Sequence, residues 1–157
     1  QWILVSIAHL AATCVVFAGS LIYKNSSLYD PFWSVVPAPI AIYLAFWPES
    51  IKIDYEKIIL VLIPVLFWSL RLTWNWAKKW EGLIEEDFRY VNLKKGSKAK
   101  VVFIDFFGIH IFPTFQVNLS LLPIYYVLAV PTNEVNLAMY LASSFTVLAV
   151  LLETKCI

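Results

Sequence analysis

Residues 2–23 of this chain form a run of 22 residues without a fixed charge, His9 being its one ionisable side chain. A helix of about 20 apolar residues crosses a bilayer's hydrocarbon core. The run is too long for a signal-peptide core and has no basic flank before it, so it reads as a membrane span. Four more apolar stretches follow, at 32–47, 58–77, 101–130 and 135–152. The second contains Pro37 and Pro39 and reaches only about 24 Å as ideal helix. It is therefore expected to be broken, tilted or re-entrant, sheltered by its neighbours. The fourth is 30 residues long and carries Asp105, His110, Pro113, Gln116, Asn118 and Pro123. It reads as one kinked span or two half-spans. The fold class that follows is all-α, a polytopic transmembrane helix bundle of about five spans forming one domain over residues 1–157.

Composition points the same way. Hydrophobic residues make up 61% and charged residues 15%, where soluble domains carry about 25% charged. Disorder, a nucleic-acid partner and a disulfide scaffold are excluded. Cys14 and Cys156 are far apart, and no cluster has metal-ligand spacing, so no metal site is expected. Dinucleotide, P-loop and hydrolase motifs are absent from the sequence.

The net charge of +1 hides an asymmetry along the chain. Residues 78–100 hold Lys78, Lys79, Arg89, Lys94, Lys95, Lys98 and Lys100, a basic loop expected on the cytoplasmic side. Five alternating spans then place the N-terminus outside and the C-terminus inside. Ten of the 12 Lys and Arg fall on the cytoplasmic side, leaving Lys52 and Lys57 outward. The polar blocks gather on that same side.

Arg71 lies within an apolar stretch, where a guanidinium costs roughly 2.5–3.5 kcal/mol on insertion scales. Asn75, four residues on, shares its face. Two readings stand level: an anion contact, or a snorkelling or structural pair with a carboxylate such as Asp87. Glu85, Glu86, Asp87 and Arg89 read first as a solvated charged run. Trp80, Phe88 and Tyr90 among them favour a segment folded against the bundle. Asp30, followed by Pro31, reads as a helix N-cap whose oxygen could also orient an arginine. Asn25-Ser26-Ser27 has the form of a glycosylation sequon, although its expected cytoplasmic placement argues against use. At 100° per residue, Asp105 and Gln116 share a helix face and His110 points about 140° away from Asp105. His9, near Ser6 and Thr13, reads as a bundle histidine with its hydrogen bonds met.

Four blocks then stand in order: Asn-Ser-Ser-x-x-Asp-Pro-Phe-Trp-Ser at 25–34, Trp-Ser-Leu-Arg-Leu-Thr-Trp-Asn-Trp at 68–76, Trp80-x-Gly82, and Glu86-Asp87-Phe88-Arg89-Tyr90. Gln116 follows in the long apolar stretch. In combination they resemble the family of largely uncharacterised integral membrane proteins grouped with the steroid 5-alpha-reductases, from about Asn25 to Glu153. The resemblance implies an all-helical membrane reductase. It implies NADPH bound from the cytosol and hydride delivered to a conjugated carbon–carbon double bond in a lipid-like substrate within the bundle. Arg71, Asn75, Asp87, Arg89 and Tyr90 become candidate cofactor contacts. Asn25, Asp30, Trp33, Glu86, Gln116 and Glu153 become candidate substrate-side or structural polar residues. No residue matches the reductases' catalytic acid.

Similar proteins continue past Glu153 with an Ala-Asp-x-Gln-like segment and an Arg-His-Pro-Asn-Tyr motif, where the resemblance places most cofactor contacts. Here Thr-Lys-Cys-Ile follows Glu153. The chain is therefore expected to be the N-terminal part of a longer protein and inactive alone. Two further classes stay open: a membrane lipid or isoprenoid methyltransferase, and a non-catalytic membrane scaffold. The partners expected are the bilayer and a hydrophobic small molecule.

Overall fold

A computed structural model of the chain describes residues 1–46, 54–83, 85–129 and 134–155. Lys52 and Cys156, named in the reading of the loops and cysteines, lie outside them. The described residues form helices and no strand: α1 (Trp2–Tyr23), a 3-10 turn (Ser26–Leu28), α2 (Tyr29–Val35), α3 (Pro37–Phe46), α4 (Tyr55–Lys79), α5 (Phe88–Leu93), α6 (Lys98–Phe103), a π-helical segment (Ile104–Ile111), α7 (Phe112–Ser120), α8 (Leu122–Ala129) and α9 (Leu137–Lys155). Four helical stretches are long and apolar enough to cross a membrane: Trp2–Tyr23, Tyr55–Lys79, Lys98–Leu128 and Leu137–Thr154. They correspond to four of the five expected spans. In the remaining stretch, α2 and α3 are seven and ten residues long, each short of a crossing. The break falls where Pro37 disfavours helical backbone at Val36 and then serves as the first residue of α3.

The chain divides into two compact units. The first comprises Gln1–Trp33 and Trp76–Leu119. Its α1 is inverted relative to a helix of a water-soluble protein. Val5, His9 and Thr13, spaced by four, and then Ser20 form the buried face, whereas Ile3, Leu4, Ile7, Val15 and Ile22 are exposed. Helix association in lipid gains little from burying leucine, so small and polar residues face the protein and apolar ones face the acyl chains. Toward its end α1 packs on the 3-10 turn and the π segment.

Helix α1 stops at Lys24, whose φ of 52° and ψ of 36° place a lysine in the left-handed region. Its backbone N–H closes the last turn on the Ser20 carbonyl. A side chain in that conformation costs roughly 1–2 kcal/mol that glycine avoids. Lys24→Gly is expected to raise stability by about 1 kcal/mol, read as a higher unfolding midpoint in detergent. An unchanged or lower midpoint would contradict that account of the cap.

The π segment lies just before a local disturbance of the helix. Pro113 has no N–H, and its ring would crowd the carbonyl four residues back in a regular helix. The Phe112 N–H bonds the Phe107 carbonyl, five residues back, which widens the turn just before the proline.

The second unit comprises Ser34–Asn75 and Ser120–Ile157. There α3 packs on α8, with Ala41, Leu44, Ala45 and Leu121 buried. The Ser69 hydroxyl donates to the Ser34 carbonyl at 2.7 Å. The hydroxyls of Ser34 and Thr73 meet at 3.2 Å. Tyr140 of α9 donates to Glu56 of α4.

Candidate functional site: a buried polar knot in the first unit

The knot is built on the turn that leaves α1. Asn25 has extended backbone, and its Oδ1 accepts from the Ser27 N–H at 2.9 Å, capping the 3-10 turn. Its Nδ2 donates to the carbonyls of Leu83 and Glu85 at 2.9 and 3.0 Å. One amide thus pins the 25–28 turn to the chain entering α5. Only 1% of Asn25 is exposed, so the side chain is occupied rather than offered for glycosylation.

Ser26 is the junction. Its N–H donates to Glu86 Oε1 at 2.7 Å, its hydroxyl donates to Asp105 Oδ1 at 2.6 Å, and it accepts from Lys94 Nζ at 2.9 Å. Lys94 is also ion-paired with Glu86, both side chains 14% exposed. Most charges on a mixed charged run are solvated; this pair is turned inward. Ser27 Oγ accepts from the Asp87 N–H at 2.9 Å.

The π segment corrects the sequence geometry. At 100° per residue His110 points away from Asp105. In the wider π turn, residues five apart come into register. The Nδ1–H of His110 donates to the Asp105 carbonyl at 2.9 Å and lies 3.4 Å from Asp105 Oδ1. His110 Nε2 meets the Ser20 hydroxyl of α1 at 3.1 Å. The expected kinship of Asp105 and Gln116 is lost for the same reason: Asp105 is buried and Gln116 exposed. A hydrogen-bonded path therefore runs from Glu86 and Lys94 through Ser26, Asp105 and His110 to Ser20.

A second chain of hydroxyls lies alongside. Tyr29 and Thr114 meet at 2.8 Å, Thr114 and Thr13 at 2.8 Å, and Thr13 donates to the His9 carbonyl at 2.9 Å. The Tyr29 ring stands edge-on to His110 at 5.0 Å. Burial pushes the Tyr29 phenol up to about 12, its bond to Thr114 pulling the other way. His9 departs from its expected satisfied state. It is 3% exposed, packs on the Phe32 ring at 5.7 Å, and has no hydrogen bond to either ring nitrogen among the described residues.

Asp30 sits inside the first turn of α2 rather than before it, and its Oδ1 accepts from Tyr90 OH at 2.5 Å. Burial raises the Asp30 carboxyl above its usual range, with the Tyr90 bond and the Arg89 charge opposing. The Tyr90 phenol is raised by burial and by that same carboxylate. Asp30 therefore does not serve as the expected cap of α2, whereas Asp87 caps α5, accepting from the Arg89 N–H at 2.8 Å. Asp87 also holds the Arg89 guanidinium through Nε at 2.9 Å and Nη2 at 2.8 Å. The hydrogen bonds from Arg89 keep Asp87 below the ordinary carboxylate range. Arg89 lies over the Tyr90 ring at 5.8 Å and its side chain is 61% exposed. Held bidentately on one edge, the guanidinium presents a fixed positive charge to solvent.

The first unit therefore brings together Asn25, Asp30, Glu86, Asp87, Arg89 and Tyr90. Trp33 belongs to the same unit and is half-buried. Arg71, Asn75 and Glu153 belong to the second unit. There Arg71, 7% exposed, is ion-paired with Glu153 and donates to the Glu153 carbonyl at 3.1 Å. Asn75 is half-buried on the same helix. Sequence reasoning did not assign Ser26, Ser27, Tyr29, Lys94, Thr13 or Thr114 to the site. For Thr13 and Thr114 the visible signal is a small hydroxyl inside an otherwise apolar run, which in lipid looks for a partner on another helix.

A family profile described as a protein of unknown function, DUF1295, matches residues 16–156. The chain belongs to the DUF1295 family. The match takes in the knot from Ser20 to Thr114 but not His9 and Thr13. An uncharacterized protein of Schizosaccharomyces pombe is 26% identical over 113 residues, covering 71% of this chain and 33% of that protein. The DUF1295 chain thus spans about one third of the length of that relative. No solved structure matches it.

Proposed function

We propose that the complete protein is an NADPH-dependent reductase of a carbon–carbon double bond in a lipid-like substrate, grouped with the steroid 5-alpha-reductases, and that this chain supplies its N-terminal bundle. One observation carries the reading. The Asn25–Asp30 and Glu86–Tyr90 parts of the resemblance are joined by hydrogen bonds between residues 60 apart into one knot at the end of apolar α1. A polar assembly of that kind, abutting helices fit for lipid, suits an enzyme whose cofactor is water-soluble and whose substrate is not. The bound NADPH would supply the hydride, and the protein would supply position, charge and water exclusion. In this reading the knot faces the cytoplasm, the side to which the basic residues 78–100 assign it.

The roles divide by environment. Arg89, fixed by Asp87 and open to solvent, fits a cofactor phosphate. Tyr90 and Asp30 set the orientation of the helix that carries it. Arg71, buried against Glu153, serves as a structural pair.

The test uses the full-length protein in nanodiscs. NADPH is expected to bind, and Arg89→Ala to weaken binding on the order of tenfold, the worth of one charge-assisted hydrogen bond. Binding of S-adenosylmethionine in place of NADPH would replace this reading with a methyltransferase. Binding of neither by a stably folded protein would favour a scaffold.

A further inference from the structure

A groove of 630 Å³ runs along the first turns of the Lys98–Leu128 stretch, outside the knot. Its walls are Phe17 of α1 with Val102, Phe103, Phe106 and Phe107, and Lys98 stands among them as the lone charged lining residue. The rings interlock: Phe17 meets Phe106 at 4.8 Å, Phe106 meets Phe107 edge-on at 4.9 Å, and Phe103 meets Phe107 at 4.8 Å. Phe103 and Phe107 are exposed. Packed rings make a wall rather than a set of loose side chains, and the volume lies within the roughly 300–1,000 Å³ of small-molecule sites.

The charge around its mouth has one sign. Lys95, Lys98 and Lys100 cluster there in sequence and make no ion pair among the described residues. The nearest acid in sequence, Asp105, is buried and bonded to Ser26 and His110. The groove also begins where a basic segment turns into a membrane-fit helix, the depth at which phosphates of a bilayer lie. A cation at the rim and an aromatic wall below it match a molecule with an anionic head and a hydrocarbon tail.

We infer that this groove is a binding site for one anionic phospholipid, its phosphate at Lys98 and an acyl chain against Phe17, Phe103, Phe106 and Phe107. The site is separate from the proposed cofactor contact at Arg89 and needs no catalysis to be read.

The probe is palmitoyl-oleoyl phosphatidylglycerol. The protein is reconstituted in equal mixtures with phosphatidylcholine, released, and its retained lipids counted by native mass spectrometry. One phosphatidylglycerol is expected to be retained in preference to phosphatidylcholine. Lys98→Gln should lower that retention about fivefold, the effect of one lysine at an anionic surface. Lys98→Arg should restore it, and Lys79→Gln, at the end of α4, should leave it unchanged. Phe106→Ala should shorten retention of both lipids alike if the variant keeps its unfolding midpoint. Equal retention of the two lipids overturns the inference, as does a Lys98→Gln protein that retains phosphatidylglycerol like the wild type. An equal loss on Lys79→Gln would show that the basic segment merely gathers anionic lipid. Displacement by inorganic phosphate alone would make the site a free-anion site and overturn the lipid assignment.

Discussion

Asp105→Ala should destabilise the protein by about 3 kcal/mol, the scale of leaving more than one buried donor without its acceptor. Asp105 is 4% exposed and its Oδ1 accepts the Ser26 hydroxyl and faces His110. Removing it leaves the Ser26 hydroxyl, the Lys94 charge that Ser26 helps to solvate, and the buried imidazole with fewer partners than they have donors. A buried donor left unmade costs more than the bond contributed when intact. Asp105→Asn keeps one oxygen acceptor and should cost about half as much. The measurement is equilibrium unfolding in mixed micelles, and a loss under 1 kcal/mol would mean that water already solvates the pair. Among the described residues the hydrogen bonds of the Arg89 side chain go to Asp87 alone, so Arg89→Ala should leave the midpoint nearly unchanged while it weakens NADPH binding. Stability and cofactor binding thus report on different parts of the knot.

Glu153→Ala should cost about 2 kcal/mol, less than the full value for a buried pair because Glu153 is half exposed. It strands the guanidinium of Arg71 within an apolar helix with one backbone carbonyl in reach. Adding Arg71→Leu to that background should recover most of the loss, since an uncharged leucine needs no counter-charge there. A double-mutant cycle in unfolding midpoints reads the coupling directly. If Arg71 instead served a cofactor phosphate, Arg71→Leu alone would abolish NADPH binding and Glu153→Ala would leave stability nearly unchanged.

The membrane character and four of the helical stretches were open to reading from the sequence because they follow from local rules. Residues 2–23 carry no fixed charge, and a helix is the structure that satisfies their backbone in lipid. The proline at 37 marks the break between α2 and α3, since its ring constrains the residue before it. The polar blocks at 25–30 and 86–90 were also visible, as charged and amide residues beside apolar runs. Their partners were not. Asp30 looked like a cap because caps are local, and it became the acceptor of Tyr90, 60 residues away. Arg71 was open to an anion contact or a carboxylate pair, and its pairing with Glu153 rather than Asp87 depends on which helices share a unit. The π turn was hidden for a related reason: Pro113 announces a disturbance, and only the packing of His110 against Ser20 and Tyr29 decides that the turn widens rather than kinks. By itself the sequence determined where lipid is tolerated, because hydrophobicity is a property of each stretch alone. The tertiary structure decided which polar groups answer one another, because a hydrogen bond requires two atoms within about 3 Å and spacing along the chain says nothing of that distance across helices.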